Sequence, residues 1–170
     1  AERLRASVQM SAKTCRYGFA LAALSVLLLI GSGASAQTRP VELAASDDRL
    51  AEPPPPGSDT VRTGTLRDGD PIHRGSGTAR LLKLSDGTHI VRLENLEVVR
   101  GPSLFVYLVA HEDPLFPEDV TAGFRNLGKL KSRFGDQNYP VPENTDLSAY
   151  GSVVVWCDTF KVQFAVAALE

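Results

Sequence analysis

Residues 152–169 read Ser152-Val153-Val154-Val155-Trp156-Cys157-Asp158-Thr159-Phe160-Lys161-Val162-Gln163-Phe164-Ala165-Val166-Ala167-Ala168-Leu169. Phe160, Val162, Phe164 and Val166 alternate with Lys161, Gln163, Ala165 and Ala167. A period of two belongs to a strand with one buried face. Val153, Val154 and Val155 precede it in a β-branched run, and Asp158-Thr159 between the two predicts a tight turn. With that turn Cys157 lies opposite Phe160, Val155 opposite Val162 and Val153 opposite Phe164. Cross-strand partners point to one side of a sheet. Cys157 is therefore expected on the apolar face at the turn end, with Trp156 facing the other way beside Lys161.

The same texture extends upstream. Residues 78–84 and 88–93 flank Ser85-Asp86-Gly87, and Asp-Gly is a strong two-residue hairpin signal. It pairs Leu84 at or near His89, Leu82 with Val91 and Arg80 with Leu93. One face is then mostly apolar, and the other carries Lys83, Arg92 and Glu94. Residues 104–110 are apolar without a break, as in a strand covered on both faces. Residues 111–123, with Pro114 and Pro117, read as a loop, and residues 127–134 as a strand. Residues 135–142 are turn-rich, with an extended stretch at 139–142. Residues 145–150 predict a single helical turn capped by Thr145 or Asp146. The expected class is all-β: a small antiparallel sandwich or barrel of about seven to eight short strands over residues 63–170.

The first third of the chain is different. Lys13 and Arg16 precede fourteen uncharged, largely apolar residues, 17–30, and Ala34-Ser35-Ala36 follows. A basic start, a short apolar middle and an A-x-A ending are the parts of a secretory signal over residues 1–36. Met10 is a plausible start, which makes residues 1–9 a start-site extension. A membrane-spanning helix needs about 20 apolar residues, so no stable membrane insertion is expected after cleavage. A lipoprotein anchor does not fit either, because Cys15 precedes the apolar run. Residues 37–62, with Pro40 and four consecutive prolines at 53–56, predict a flexible Pro-rich linker of polyproline II character. The expected destination is secreted or periplasmic.

From residue 37 onward the chain carries 14 Lys and Arg against 19 Asp and Glu. That sign argues against nucleic acid and anionic lipid, which attract basic surfaces. Only Cys157 remains there, so no internal disulfide can form, even in a compartment that permits one. A leftover cysteine is a buried small apolar residue, an intermolecular partner or a reactive thiol. Reactivity needs nearby positive charge and solvent access, and the immediate neighbour is Asp158.

The residues 153–157, Phe160, Val162, Phe164, Ala167 and Leu169 resemble the terminal signature of the DM13 domain family. His73 with Ser76-Gly77-Thr78-Ala79 is similar to that family's entry motif. Leu93-Glu94-Asn95-Leu96, Gly101-Pro102, residues 104–108, residues 127–131, Gly135, Gln137-Asn138-Tyr139, Pro142 and Tyr150 continue the likeness in order. The resemblance covers residues 63–170. It implies a β-rich extracellular module that takes part in redox chemistry or electron transfer through one cysteine, here Cys157. Thiol cycling through a sulfenic acid or a mixed disulfide is one implied chemistry, and thiolate ligation of haem is another. With one thiol, a redox or other extracellular protein partner must supply the second. His73, Tyr139 and Trp156 are the candidates for contact with a haem or flavin. The chain departs from the family pattern at Leu96, Ser103 and Ala165. The alternative is a non-catalytic extracellular binding module with a structural cysteine.

Other chemistries find less support. His73, His89 and His111 lie on separate elements without zinc-ligand spacing. His111-Glu112-Asp113 reads as a solvated loop. No G-x-S-x-G setting is present, and Gly75-Ser76-Gly77 lacks the strand–loop–helix context of a phosphate loop.

Overall fold

The computed structural model describes residues 49–170. The signal expected at 1–36 and residues 37–48 of the expected linker lie outside the described residues. Nine strands are present among the described residues: β1 (Leu50–Ala51), β2 (Asp59–Asp68), β3 (Gly75–Lys83), β4 (His89–Val98), β5 (Leu104–Val109), β6 (Phe124–Lys129), β7 (Phe134–Pro140), β8 (Ser152–Cys157) and β9 (Val162–Ala168). One short helix, α1 (Pro117–Thr121), interrupts the loop after β5. A single 3-10 turn, Leu147–Ala149, precedes β8, and Asp146 caps it by accepting from the Ser148 N–H. The expected helical turn and its cap are both present.

The strands form one sheet in the order β1-β7-β4-β3-β2-β9-β8-β5-β6, curled into a half-barrel. The all-β class stands as expected. All ladders are antiparallel except β1 with β7. The concave side holds the main core, with Leu81, Val91, Leu93, Val106, Leu108, Val153, Val155 and Cys157 buried together. A second apolar layer covers the convex side of β5, β8 and β9, where Tyr107, Val109, Val154, Trp156 and Val166 pack under Val120 of α1. Residues 104–109 are thus covered on both faces, as their unbroken apolar run required.

Several local expectations are corrected. The β3–β4 connection is a three-residue loop, in which the Gly87 N–H donates to the Leu84 carbonyl and the Leu84 N–H to the Thr88 carbonyl. Only Gly87 has positive φ, so Asp86 is free to fold back and accept from the Thr88 N–H. The register moves by one: Leu81 pairs with Val91, Ala79 with Leu93 and Arg80 with Arg92. The convex face therefore carries Arg80, Arg92 and Glu94, linked by Arg80–Glu94 and Arg92–Glu94 contacts of 2.7 and 2.9 Å.

The turn between β8 and β9 has four residues, closed by the Lys161 N–H donating to the Cys157 carbonyl. Lengthening a turn by two residues preserves which side each residue faces. Cys157 now pairs with Val162 and still points inward, while Phe160 is left 64% exposed at the tip. A bulge at Phe164 then shifts the ladder, so Val155 faces Ala165 and Val153 faces Ala167. The strand expected at 127–134 is instead the end of β6, a connection and the start of β7. Within the linker expected at 37–62, Leu50 and Ala51 pair with β7 and β2 begins at Asp59, with no strand between them.

Candidate functional site

Cys157 ends β8 on the concave side and is 0% exposed. Its neighbours across the sheet are Leu104 on one side and Val162 on the other. The thiol donates to the Pro102 carbonyl at 3.0 Å. The next residue fastens the same loop, because the Asp158 N–H donates to the Ser103 carbonyl. Residues 101–104 therefore form the cover over the sulfur. Pro102 and Ser103 are exposed, which makes the cover one residue thick. Ser103 holds a left-handed backbone, φ 48°, a conformation that costs a non-glycine residue about 1–2 kcal/mol.

Phe164 supports this cover from below. As the extra residue of the β9 bulge it projects into the concave core. A Cβ on Gly101 would come within 2.5 Å of the Phe164 Cζ, so the loop lies flat on the ring only because residue 101 is glycine. The other face of the contact is His73, whose ring centroid is 4.4 Å from that of Phe164. Asp70 fixes His73 completely: its Oδ1 accepts from the His73 N–H at 2.7 Å and its Oδ2 lies 2.6 Å from Nδ1. That side-chain bond, with the backbone N–H bonds from His73 and Ile72, holds the Asp70 carboxyl below the usual range against a small opposing effect of burial. His73, Phe164, the 101–104 loop and Cys157 form a continuous line of contacts at one end of the sheet.

The other two candidates lie elsewhere. Trp156 precedes Cys157 and so faces the convex side, where it is buried with Tyr107 at a centroid distance of 6.2 Å. Tyr139 shares the concave core with Cys157, but its hydroxyl is committed on β7. It donates to Gln137 Oε1 at 2.7 Å and accepts from the Lys131 N–H at 3.0 Å. Burial raises its pKa to about 12 from 10.0.

Thiolate ligation of a haem iron requires an open face at the sulfur, and here the sulfur is sealed and bonded to Pro102. Trp156 is on the opposite side of the sheet, and the Tyr139 hydroxyl is saturated. These residues do not fit a haem or flavin held between them. Among the described residues no group of three or more His, Cys, Asp and Glu is placed to hold a metal ion. Sequence reasoning missed Phe164 and Asp70 as parts of this constellation. Asp70 stands three residues before His73, the spacing of a turn-forming Asp, whereas nothing local marked Phe164 as a bulge. The departure at Ala165 also finds its place: its methyl lies 2.6 Å from where a Cβ on residue 75 would stand, and residue 75 is glycine.

A family model described as electron transfer DM13 matches residues 67–169. No curated protein and no solved structure matches the chain.

Proposed function

This chain belongs to the DM13 family, and from that premise we propose that it is an exported electron-transfer domain that exchanges electrons with a protein partner through Cys157. The observation that carries the reading is the position of the sulfur, one residue beneath the surface and held by the carbonyl of exposed Pro102. Lifting residues 101–103, which precede β5, uncovers it with that strand still paired, and local openings of this kind occur well below the free energy of global unfolding. The uncovered thiol gives up its proton and attacks a partner disulfide. One S–S bond forms to Cys157 as the partner's breaks, and the partner's leaving sulfur takes up the proton. Cys157 is oxidised in the mixed disulfide and the departing sulfur is reduced. A thiol of a second partner then attacks the Cys157 sulfur, which releases the first partner with both of its sulfurs reduced. A further thiol of that second partner displaces Cys157, which regains its proton. Two electrons have passed from the second partner's dithiol to the first partner's disulfide.

Maleimide labelling of residues 37–170 tests this. Native labelling should run faster than global unfolding, and Gly101→Ala should accelerate it several-fold by lifting the loop off Phe164. Labelling limited by global unfolding in both proteins sinks the redox role. It would leave the second reading, a binding module with a structural cysteine, which the complete burial of Cys157 favours. Export rests on the apolar run and Ala34-Ser35-Ala36. Intact mass of the expressed protein should give a chain beginning at Gln37.

A further inference from the structure

The described residues 49–170 hold 13 Lys and Arg against 16 Asp and Glu, and two of the arginines meet at one end of the sheet. Arg74 and Arg133 line a cleft of about 490 Å³ with Ser76, Val98, Val99 and Phe134. Arg133 and Arg49 lie over the Phe134 ring at 4.6 and 5.8 Å. The Val99 N–H donates to the Arg74 carbonyl, and Arg100 follows Val99 in the chain. Two carboxylates also line the cleft, Asp68 and Glu97, and Asp68 is engaged by the Gly75 N–H at 2.9 Å. The side chains of Arg74 and Arg100 are exposed and have no hydrogen bond or ion pair among the described residues. Elsewhere Arg67, Arg80, Arg92, Lys131 and Lys161 are all matched to carboxylates.

Two features make this a place for a protein rather than a free anion. Ile72, next to His73 and two residues before Arg74, is 78% exposed. An apolar anchor two residues from Arg74 suits a peptide carrying both acidic and aliphatic side chains. The cleft also lies near the loop that covers Cys157, because Arg74 follows His73, whose ring packs on Phe164 beneath Gly101. We propose that this arginine-lined cleft docks an acidic segment of the partner protein, placing it over the loop through which electrons pass. The proposal rests on the redox reading above and names the chemistry of the partner. Charge of this kind steers encounter and orients partners whose contact is brief.

The test is an amide-resonance titration of ¹⁵N-labelled residues 37–170, which contain all of the described residues 49–170. The probes are a short synthetic peptide of repeating Glu-Glu-Leu, free glutamate and inorganic phosphate. The peptide should move resonances of residues 72–76, 97–100 and 133–134, and its affinity should fall about tenfold from low to physiological salt. Arg74→Glu and Arg100→Glu, at exposed positions without partners, should each weaken it about tenfold, and Ile72→Ser several-fold. Equal shifts with glutamate or phosphate would assign the cleft to a small anion and overturn the docking proposal. Shifts scattered over the surface, or none, would overturn it as well. The titration involves no thiol chemistry. An inert Cys157 would defeat the redox role and leave the docking result standing, and the reverse outcome is read just as clearly.

Discussion

Tyr139 shows how one side chain ties a pH response to the fold. Its folded pKa is pushed up to about 12 by burial, above the ordinary 10.0. A group whose pKa rises on folding is stabilised in its protonated form. That contribution is whole below pH 10 and is lost as pH climbs from 10 towards 12. Tyr139→Phe removes the partner of the Lys131 N–H and one of the donors to Gln137 Oε1. It should cost about 1–3 kcal/mol at neutral pH and flatten the stability profile above pH 10, as read by urea denaturation. The residue was legible in the sequence as a candidate aromatic, but its role was not. Tyr139 lies eight positions from Lys131, and only the fold of β7 onto its preceding connection brings the two together. Cys157 is the opposite case. Its side of the sheet followed from alternation alone, while its cover came from residues more than fifty positions away.

At the scale of elements, the two hairpins divide what local sequence can and cannot settle. Both were legible as strand–turn–strand, because alternation and Asp-Gly or Asp-Thr punctuation are local signals. Neither turn length was, because Ser85-Asp86-Gly87 closes equally well as two residues or three, and the choice lies in the ladder. For β1 the local signal pointed the wrong way. Two residues before a run of prolines read as linker, yet Leu50 and Ala51 pair in parallel with β7 at Gly135 and Asp136. Gly135, at φ 95°, makes this possible, because a Cβ there would stand 1.9 Å from the Leu50 carbonyl oxygen. Gly135→Ala should therefore detach β1 and cost about 2 kcal/mol or more through strain and lost pairing. Hydrogen exchange checks it: the Glu52 N–H, which donates to the Asp136 carbonyl, should lose protection while β8 and β9 keep theirs.

For the whole molecule, the folded unit is longer than the family match of residues 67–169 and longer than the domain expected from residue 63. Glu52 bonds Lys131 and the Asn138 N–H, and its carbonyl accepts from Arg92. Arg62 donates to the Leu147 and Tyr150 carbonyls and so ties the start of β2 to the 3-10 turn. A chain of residues 63–170 should lose its cooperative thermal transition, or melt well below residues 49–170, when the two are compared by circular dichroism. Alternation, turn punctuation and the ordered motifs by themselves determined an all-β chain of this family, with Cys157 on the buried side of its last hairpin. Those signals act between neighbours in sequence. The tertiary structure alone decided that the sheet is a half-barrel, that β1 joins it, that Phe164 and His73 prop the loop over the sulfur, and that Arg74 and Arg133 line one cleft. Each of those facts depends on contacts between residues far apart in the chain, whose partners no local pattern names.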